Sequence, residues 1–357
     1  MPFLNRLGSR DGTRSVPTTL EGTAVNAAFL DQPGPPDVIR VGDLPTPAPG
    51  PGEVRVRVRA ACVNPIDTYI RAGMVAMPLP KPFVPGCDLA GEVEAVGPGV
   101  HRLRVGDRVW GSNQGLLGRQ GTFAEFACVG EQWLYPTPDG VSDEQAAAVA
   151  LVGITAHLGL FGCANLKAGE TVFVNGGTGG VGMMVVQMAK AAGATVVTTV
   201  GSDEKAKLAR ELGADVVINY KTDDVPAKVK EATGGKGIQV WYETQAPTDL
   251  DRTVELMAPR GRVVVMAGRA ARPAFPNGPF YVKGLSLHGF AMFNIPADEQ
   301  RVCGNDIAQW LGHGRLKAVI GARFPLADAA AAHALQEENT LKKAGTLTGK
   351  IVVLPTA

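Results

Sequence analysis

The chain has 357 residues, 45% of them hydrophobic, a charged fraction of 19% and a formal net charge of +1. That length is long for one core and points to two domains. The near-neutral charge speaks against nucleic acid or an anionic membrane as main partner, and no apolar run reads as long enough to cross a bilayer.

Five scattered cysteines without paired spacing point to a reducing compartment, the cytoplasm. Residues 1–22 are polar and turn-rich, so they read as a flexible extension and not as a secretory signal. Arg6, Arg10 and Arg14 suggest an organelle transit peptide less well than a plain tail. Residues 52–59 alternate Glu or Arg with Val at period two, as a half-exposed antiparallel strand does. Residues 91–96, 107–110 and 122–128 continue a pattern of short strands punctuated by Gly and Pro. Ser142-Asp-Glu-Gln145 reads as a capping box opening an alanine-rich helix that runs to about residue 160. A β-rich domain therefore comes first.

The run Thr171-Val-Phe-Val-Asn-Gly-Gly-Thr-Gly-Gly-Val-Gly182 then joins a β-branched strand to a helix continuing over 183–192. Within it Gly177, Thr178, Gly179, Gly180, Val181 and Gly182 carry the G-x-G-x-x-G spacing of a dinucleotide-binding turn. One glycine lets the strand reverse, one lets backbone N–H groups approach a pyrophosphate, and one lets helix and sheet pack closely. Phosphates would sit on the positive end of the helix that follows. Strands over 195–200, 216–220, 238–242, 262–266 and 285–290, with a helix over 202–212 closed by Gly213, complete the alternation. Such continuous apolar strands specify a parallel sheet covered on both faces, binding ligands beyond its carboxyl ends. A helix over 298–311, a strand over 318–324, a helix over 328–336 and a strand over 350–354 suit a return to the first domain.

The second strand of that sheet ends Val200-Gly201-Ser202, with no carboxylate at its tip, where NAD-binding versions place one. Ser202, Lys205 and Tyr220 can instead surround a 2′-phosphate, which favours NADPH. Ser202 as a plain helix cap and Lys205 as a solvated charge are the alternative. Gly268 and Arg269 follow the fifth strand at the carboxyl edge, beside the cofactor. Phe290 comes just past the last strand, and with Met292 and Phe293 can wall the cofactor and acceptor pocket.

Asn64-Pro-Ile-Asp-Thr-Tyr-Ile-Arg-Ala-Gly73, Pro85-Gly-Cys-Asp-Leu-Ala-Gly-Glu-Val93, Gly106-Asp-Arg-Val109 and the 177–182 turn resemble the medium-chain dehydrogenase/reductase superfamily. More narrowly, they are similar to its zinc-free quinone oxidoreductase branch, which includes zeta-crystallin. The resemblance runs in order over about residues 23–355. It implies an α/β chain with a GroES-like β-rich catalytic domain (23–147 and 291–357) and a Rossmann doubly wound parallel-sheet domain binding NADPH (148–290). The active site would lie in the cleft between them. It also implies a homodimer, and places Thr155 and Lys350 near the cofactor. Two positions depart from the branch: Thr178, where a small residue is usual, and Val75, where a second tyrosine often bears on quinone preference.

Zinc-dependent relatives need a catalytic cysteine and a histidine-glutamate pair, where this chain has Asn64 and then Cys87-Asp88. Cys128 and Cys163 have no ligand beside them. No metal is expected. Hydride transfer from NADPH to an acceptor with its own electron sink is then the easier chemistry. The expected activity is two-electron reduction of a quinone. The Asn64 amide and Tyr69 hydroxyl would hold the acceptor oxygen, with Asp67 orienting them. Asn64 as a turn residue before Pro65, and Tyr69 as a helix residue with a wet phenol, stay open. So do two other functions: reduction of α,β-unsaturated ketones, aldehydes or enoyl-thioesters, and non-catalytic NADPH binding.

Overall fold

The computed structural model describes residues 24–355, so the extension read at 1–22 lies outside the described residues. β1 (Ala24–Phe29) and β2 (Arg40–Pro45) form an antiparallel hairpin. The sequence did not announce it, because β1 is alanine-rich and alanine has little strand propensity. Next come β3 (Glu53–Val63), α1 (Pro65–Arg71), β4 (Asp88–Val96), β5 (Arg108–Gly111), β6 (Phe126–Gly130) and β7 (Leu134–Pro136). The period-two reading of β3 holds: Val54, Val56 and Val58 are fully buried while the arginines between them reach outward.

After α2 (Asp143–His157) the chain alternates: β8 (Thr171–Asn175), α3 (Gly180–Ala191), β9 (Thr195–Val200), α4 (Asp203–Glu211), β10 (Val216–Asn219) and α5 (Val225–Ala232). β11 (Ile238–Glu243), α6 (Leu250–Leu256), β12 (Met257–Val265), α7 (Asn277–Val282) and β13 (Ser286–Gly289) follow. These strands form one parallel sheet in the order β10-β9-β8-β11-β12-β13. The strand order reverses between β8 and β11, and ligands bind at such a switch point. α8 (Ala297–Gly312), β14 (Ile320–Pro325), α9 (Ala329–Thr340) and β15 (Lys350–Leu354) then return the chain to the first sheet. That sheet has the order β14-β15-β3-β4-β5-β7, with β6 also on β3.

α2 corrects one expectation. With the π-turn Leu158–Cys163 it makes a helix over Asp143–Cys163 that is long and apolar enough, by length and composition, to cross a membrane. It is instead 78% buried and packs against β3, β4, β5, α3 and α8, so it is a core helix shared by both sheets. The widened turn has a local cause. The Tyr242 hydroxyl bonds the Thr155 carbonyl at 2.8 Å, and its ring passes where only Gly159 leaves room.

Other differences are smaller. The expected strand over 122–128 begins only at Phe126, because Thr122 Oγ1 donates to the Asp88 carbonyl and Ala124 bridges to Ala27. Half of the capping box forms: Ser142 accepts from the Gln145 N–H. The Gln145 side chain is instead spent on Ala318, tying α2 to the segment before β14. α1 is anchored by fully buried Arg71, which pairs with Glu337 on α9 and donates to the Gly34 carbonyl.

Candidate active site

The glycine turn sits at the carboxyl end of β8, and its glycines divide the work differently from the sequence expectation. The reversal falls on Gly176, at φ +85°, one residue before the motif. A Cβ on Gly177 would lie 2.1 Å from Thr198 Oγ1, so Gly177 lets the turn close onto β9. A Cβ on Gly182 would lie 2.1 Å from the Gly176 carbonyl oxygen, so Gly182 packs α3 against the turn. Gly179 is the exposed N-cap of α3, with its nearest neighbour 3.5 Å from such a Cβ. That leaves the free N–H groups of the first helical turn open to an anion. Thr178 is buried beneath them, and Gly180 and Val181 begin the helix.

Residues that the sequence reading missed brace this turn. Thr199 Oγ1 accepts from Gly176 N–H at 3.0 Å and donates to Asn175 Oδ1 at 2.7 Å. Asn175 in turn donates to Glu243 at 2.8 Å, and Glu243 accepts from the Gln245 N–H. Burial holds the Glu243 carboxyl above the usual range, opposed by those donors. Asn175 and Glu243 lie at the switch point on β8 and β11, and Thr199 braces them from β9. Polar residues at strand ends were the available signal.

At the tip of β9, Tyr220 lies over Gly201, its hydroxyl 2.5 Å from where a Cβ would be. Ser202 caps α4, accepting from the Lys205 N–H at 3.3 Å. Lys205 Nζ reaches the Gly345 carbonyl at 3.2 Å, on the loop before β15. Asp203, the nearest acid, takes a hydrogen bond from Asn219. Ser202 and Tyr220 thus both lie at the tip of β9, the Ser202 hydroxyl engaged as a cap, while the Lys205 ammonium is directed to the Gly345 carbonyl.

The catalytic-domain residues converge on a buried hub. Asp88, fully buried, accepts from Asn64 Nδ2 (2.8 Å), Ser112 Oγ (2.7 Å) and the Leu151 N–H (3.1 Å). Burial pushes its carboxyl up, while Lys350 and these donors pull it back. Lys350 is 4% exposed and donates to the Val63 carbonyl at 3.1 Å and to Asn64 Oδ1. Its Cδ lies 3.5 Å from a Cβ built on Gly180, so the hub touches the start of α3. In the sequence Asp88 stands out only at the place where zinc-dependent relatives carry metal ligands, and Ser112 does not stand out as a site residue.

This alters the role expected for Asn64. Its amide is fully buried with the oxygen on Lys350 and the nitrogen on Asp88, so it joins those two groups instead of reaching an acceptor. Asp67 accepts the Asn64 backbone N–H at 2.7 Å. Burial, with the nearby Asp88 charge, pushes its carboxyl up to about 7, against the Cys87 thiol, the Asn64 N–H and Lys350. Tyr69, on α1, is half-buried, and burial raises its phenol above the ordinary value, so it stays a protonated donor at neutral pH.

Thr155 is buried on α2, one turn beyond Val152, whose Cγ1 lies 3.1 Å from a Cβ built on Gly180. Gly268 has φ +81°, and Arg269 spans the cleft to the Met74 carbonyl. Phe290 and Met292 pack into the core around α2, whereas Phe293 packs against the other core, under β3 and β4. Two cavities, of about 330 Å³ beside Arg262 and about 550 Å³ beside Trp133, lie away from all of these residues.

Two family models match this chain. The one described as alcohol dehydrogenase GroES-like domain covers residues 50–139, and the one described as zinc-binding dehydrogenase covers 180–305. A quinone oxidoreductase of Pseudomonas aeruginosa is 37% identical, covering 90% of this chain and 97% of its own. The quinone oxidoreductase of Rattus norvegicus is 35% identical over 90% and 95%. A mycobacterial protein solved in complex with NADPH superposes with a TM-score of 0.80 at 35% identity, covering 93% of this chain and all of that one. Likeness of this depth, over both sheets, decides kinship: the chain belongs to the quinone oxidoreductase family of the medium-chain dehydrogenase/reductase superfamily.

Proposed function

We propose that this oxidoreductase uses NADPH to reduce a quinone by two electrons, without a metal ion. One observation carries the reading: the tip of β9 ends without a carboxylate, with Tyr220 over Gly201 and Lys205 in the first turn of α4 that follows, its Nζ on the Gly345 carbonyl, while Asp203 accepts from Asn219. A cation and a phenol at that place suit a 2′-phosphate, and relatives solved with NADPH support the same cofactor. The α3 N-terminus would hold the pyrophosphate, and the switch-point side chains the nicotinamide end. NADPH when bound supplies the hydride. The chain's own residues position and neutralise.

Negative charge grows on the acceptor oxygen as hydride arrives, and Tyr69 is the free hydroxyl on α1 able to donate to it. The buried Lys350 charge, balanced by Asp88 through Asn64, holds the end of β3 against the nucleotide turn. Asp67 keeps the Asn64 backbone in place. The donor set does not favour zinc. Among the described residues no three His, Cys, Asp or Glu side chains gather as metal ligands, and burial keeps the Cys87 thiol protonated. Reduction in a reducing compartment such as the cytoplasm fits the free cysteines. The two separate sheets support reading a catalytic unit over 23–147 with 291–357 and a nucleotide-binding unit over 148–290.

Lys205→Ala should weaken NADPH about 10- to 100-fold, the loss of one charge-assisted contact, while NADH moves less than about twofold. Fluorescence titration of both cofactors checks this, and equal weakening would remove the 2′-phosphate assignment. β13 ends the parallel sheet with a free backbone edge, and Leu287, Tyr281 and Val282 on and beside it are exposed. We assign that edge to a homodimer contact. Sedimentation should give twice the chain mass, and a monomer at micromolar concentration would refute it.

A further inference from the structure

Asn113 and Gln300 are 187 positions apart, yet both are buried to within 1% and joined at 2.8 Å, Asn113 Nδ2 donating to Gln300 Oε1. Gln300 Nε2 donates to the Met292 carbonyl at 2.9 Å and the Ile295 carbonyl at 2.8 Å. Those two carbonyls fix the orientation of Gln300, since only its nitrogen can donate to them. Its oxygen must therefore accept, which fixes the orientation of Asn113 as well.

Asn113 holds this pose at φ 69°, a left-handed backbone that asparagine tolerates better than most residues. Its carbonyl oxygen on the backbone takes Arg119 Nε at 2.7 Å, while its side-chain oxygen is buried without a partner. A strained, incompletely satisfied residue at the core costs free energy and marks a place where geometry matters. Asn113 adjoins Ser112, which holds Asp88, so the pair connects the hub to the turn Met292–Asn294. That turn leaves the carboxyl edge of β13 and crosses between the two cores, with Met292 in one and Phe293 against the other.

We propose that Asn113 and Gln300 are positioning residues that fix the Met292–Asn294 turn as one wall of the acceptor site, and so set the ring size of the quinone accepted. This rests on the quinone reading above. The wall is held by two hydrogen bonds from one side chain, itself oriented by Asn113. Losing Asn113 loosens Gln300, and a small acceptor then loses its fit while a large one can still fill the space.

The test is steady-state NADPH oxidation with a one-ring and a three-ring quinone, with NADPH affinity read by fluorescence. Asn113→Gly removes the amide without backbone strain, since glycine accepts the same φ. It should raise KM for the one-ring quinone about tenfold, with KM for the three-ring quinone, kcat and NADPH affinity each within about threefold. Gln300→Leu should act in the same direction, and the double variant should be no worse than Gln300→Leu alone, because both remove one shared device. Equal KM shifts for both quinones, additive effects, or a fall in NADPH affinity in step with KM would overturn it. If Gln300→Leu does not fold, the KM ratio in Asn113→Gly decides alone. Wild-type protein that reduces no quinone sinks the quinone reading; the same size ratio is then read with a small and a large enone. Turnover of none of these overturns both.

Discussion

Gly182→Ala should cost about 3 kcal/mol of stability and abolish measurable NADPH binding, although it adds one methyl group. The new Cβ would lie 2.1 Å from the Gly176 oxygen, 2.9 Å from its carbonyl carbon and 3.1 Å from Gly177 Cα. All three atoms are backbone, so no side chain can rotate away. α3 must shift instead, and its first turn carries the N–H groups that face the phosphates. Gly179→Ala is the matched control, since its Cβ meets nothing closer than 3.5 Å and its φ is −74°. That variant should stay within about 1 kcal/mol of the parent in urea unfolding while still weakening NADPH. Equal stability loss in the two would mean that the close contact at Gly182 is not what shapes the turn.

Asp88→Ala should be as severe for a different reason, costing about 3–5 kcal/mol. It would strand the Ser112 hydroxyl, the Asn64 amide and the Leu151 N–H without an acceptor, and leave buried Lys350 without its counter-charge. Unpaired buried donors and a lone buried cation are among the most expensive defects a core can carry. Denaturant midpoints of Asp88→Ala and Lys350→Met together make the check. If the paired charges matter, the double variant should recover part of the single-variant loss. A single-variant loss under about 1 kcal/mol would show that the hub is not electrostatically coupled.

The parallel sheet and the glycine turn were legible because their signals are local. Continuous apolar strands, helix caps such as Ser202 and the spacing of Gly177, Gly179 and Gly182 all lie within a few residues of what they shape. The strand over 195–200 coincides with β9, and the helix closed by Gly213 coincides with α4. What was not legible is built across the chain. Lys350 meets Asn64 from 286 positions away, and Gln300 meets Asn113 from 187. Asn64 looked like an acceptor-binding amide because nothing in its own segment reveals the partners that consume it. The last turn of α2, beyond about residue 160, was not legible because that π-turn forms against Tyr242, which arrives from β11.

Two electrons passing from a phosphorylated nicotinamide to a quinone, with no ion in the crevice, is the idea on which the residue roles depend. The decisive measurement is anaerobic NADPH consumption by chelator-treated, metal-assayed protein supplied with a quinone, with hydroquinone quantified alongside. One NADPH should disappear for each hydroquinone formed, at a rate the chelator leaves unchanged. Activity that vanishes on chelation and returns with zinc, or no consumption with any quinone, would contradict it.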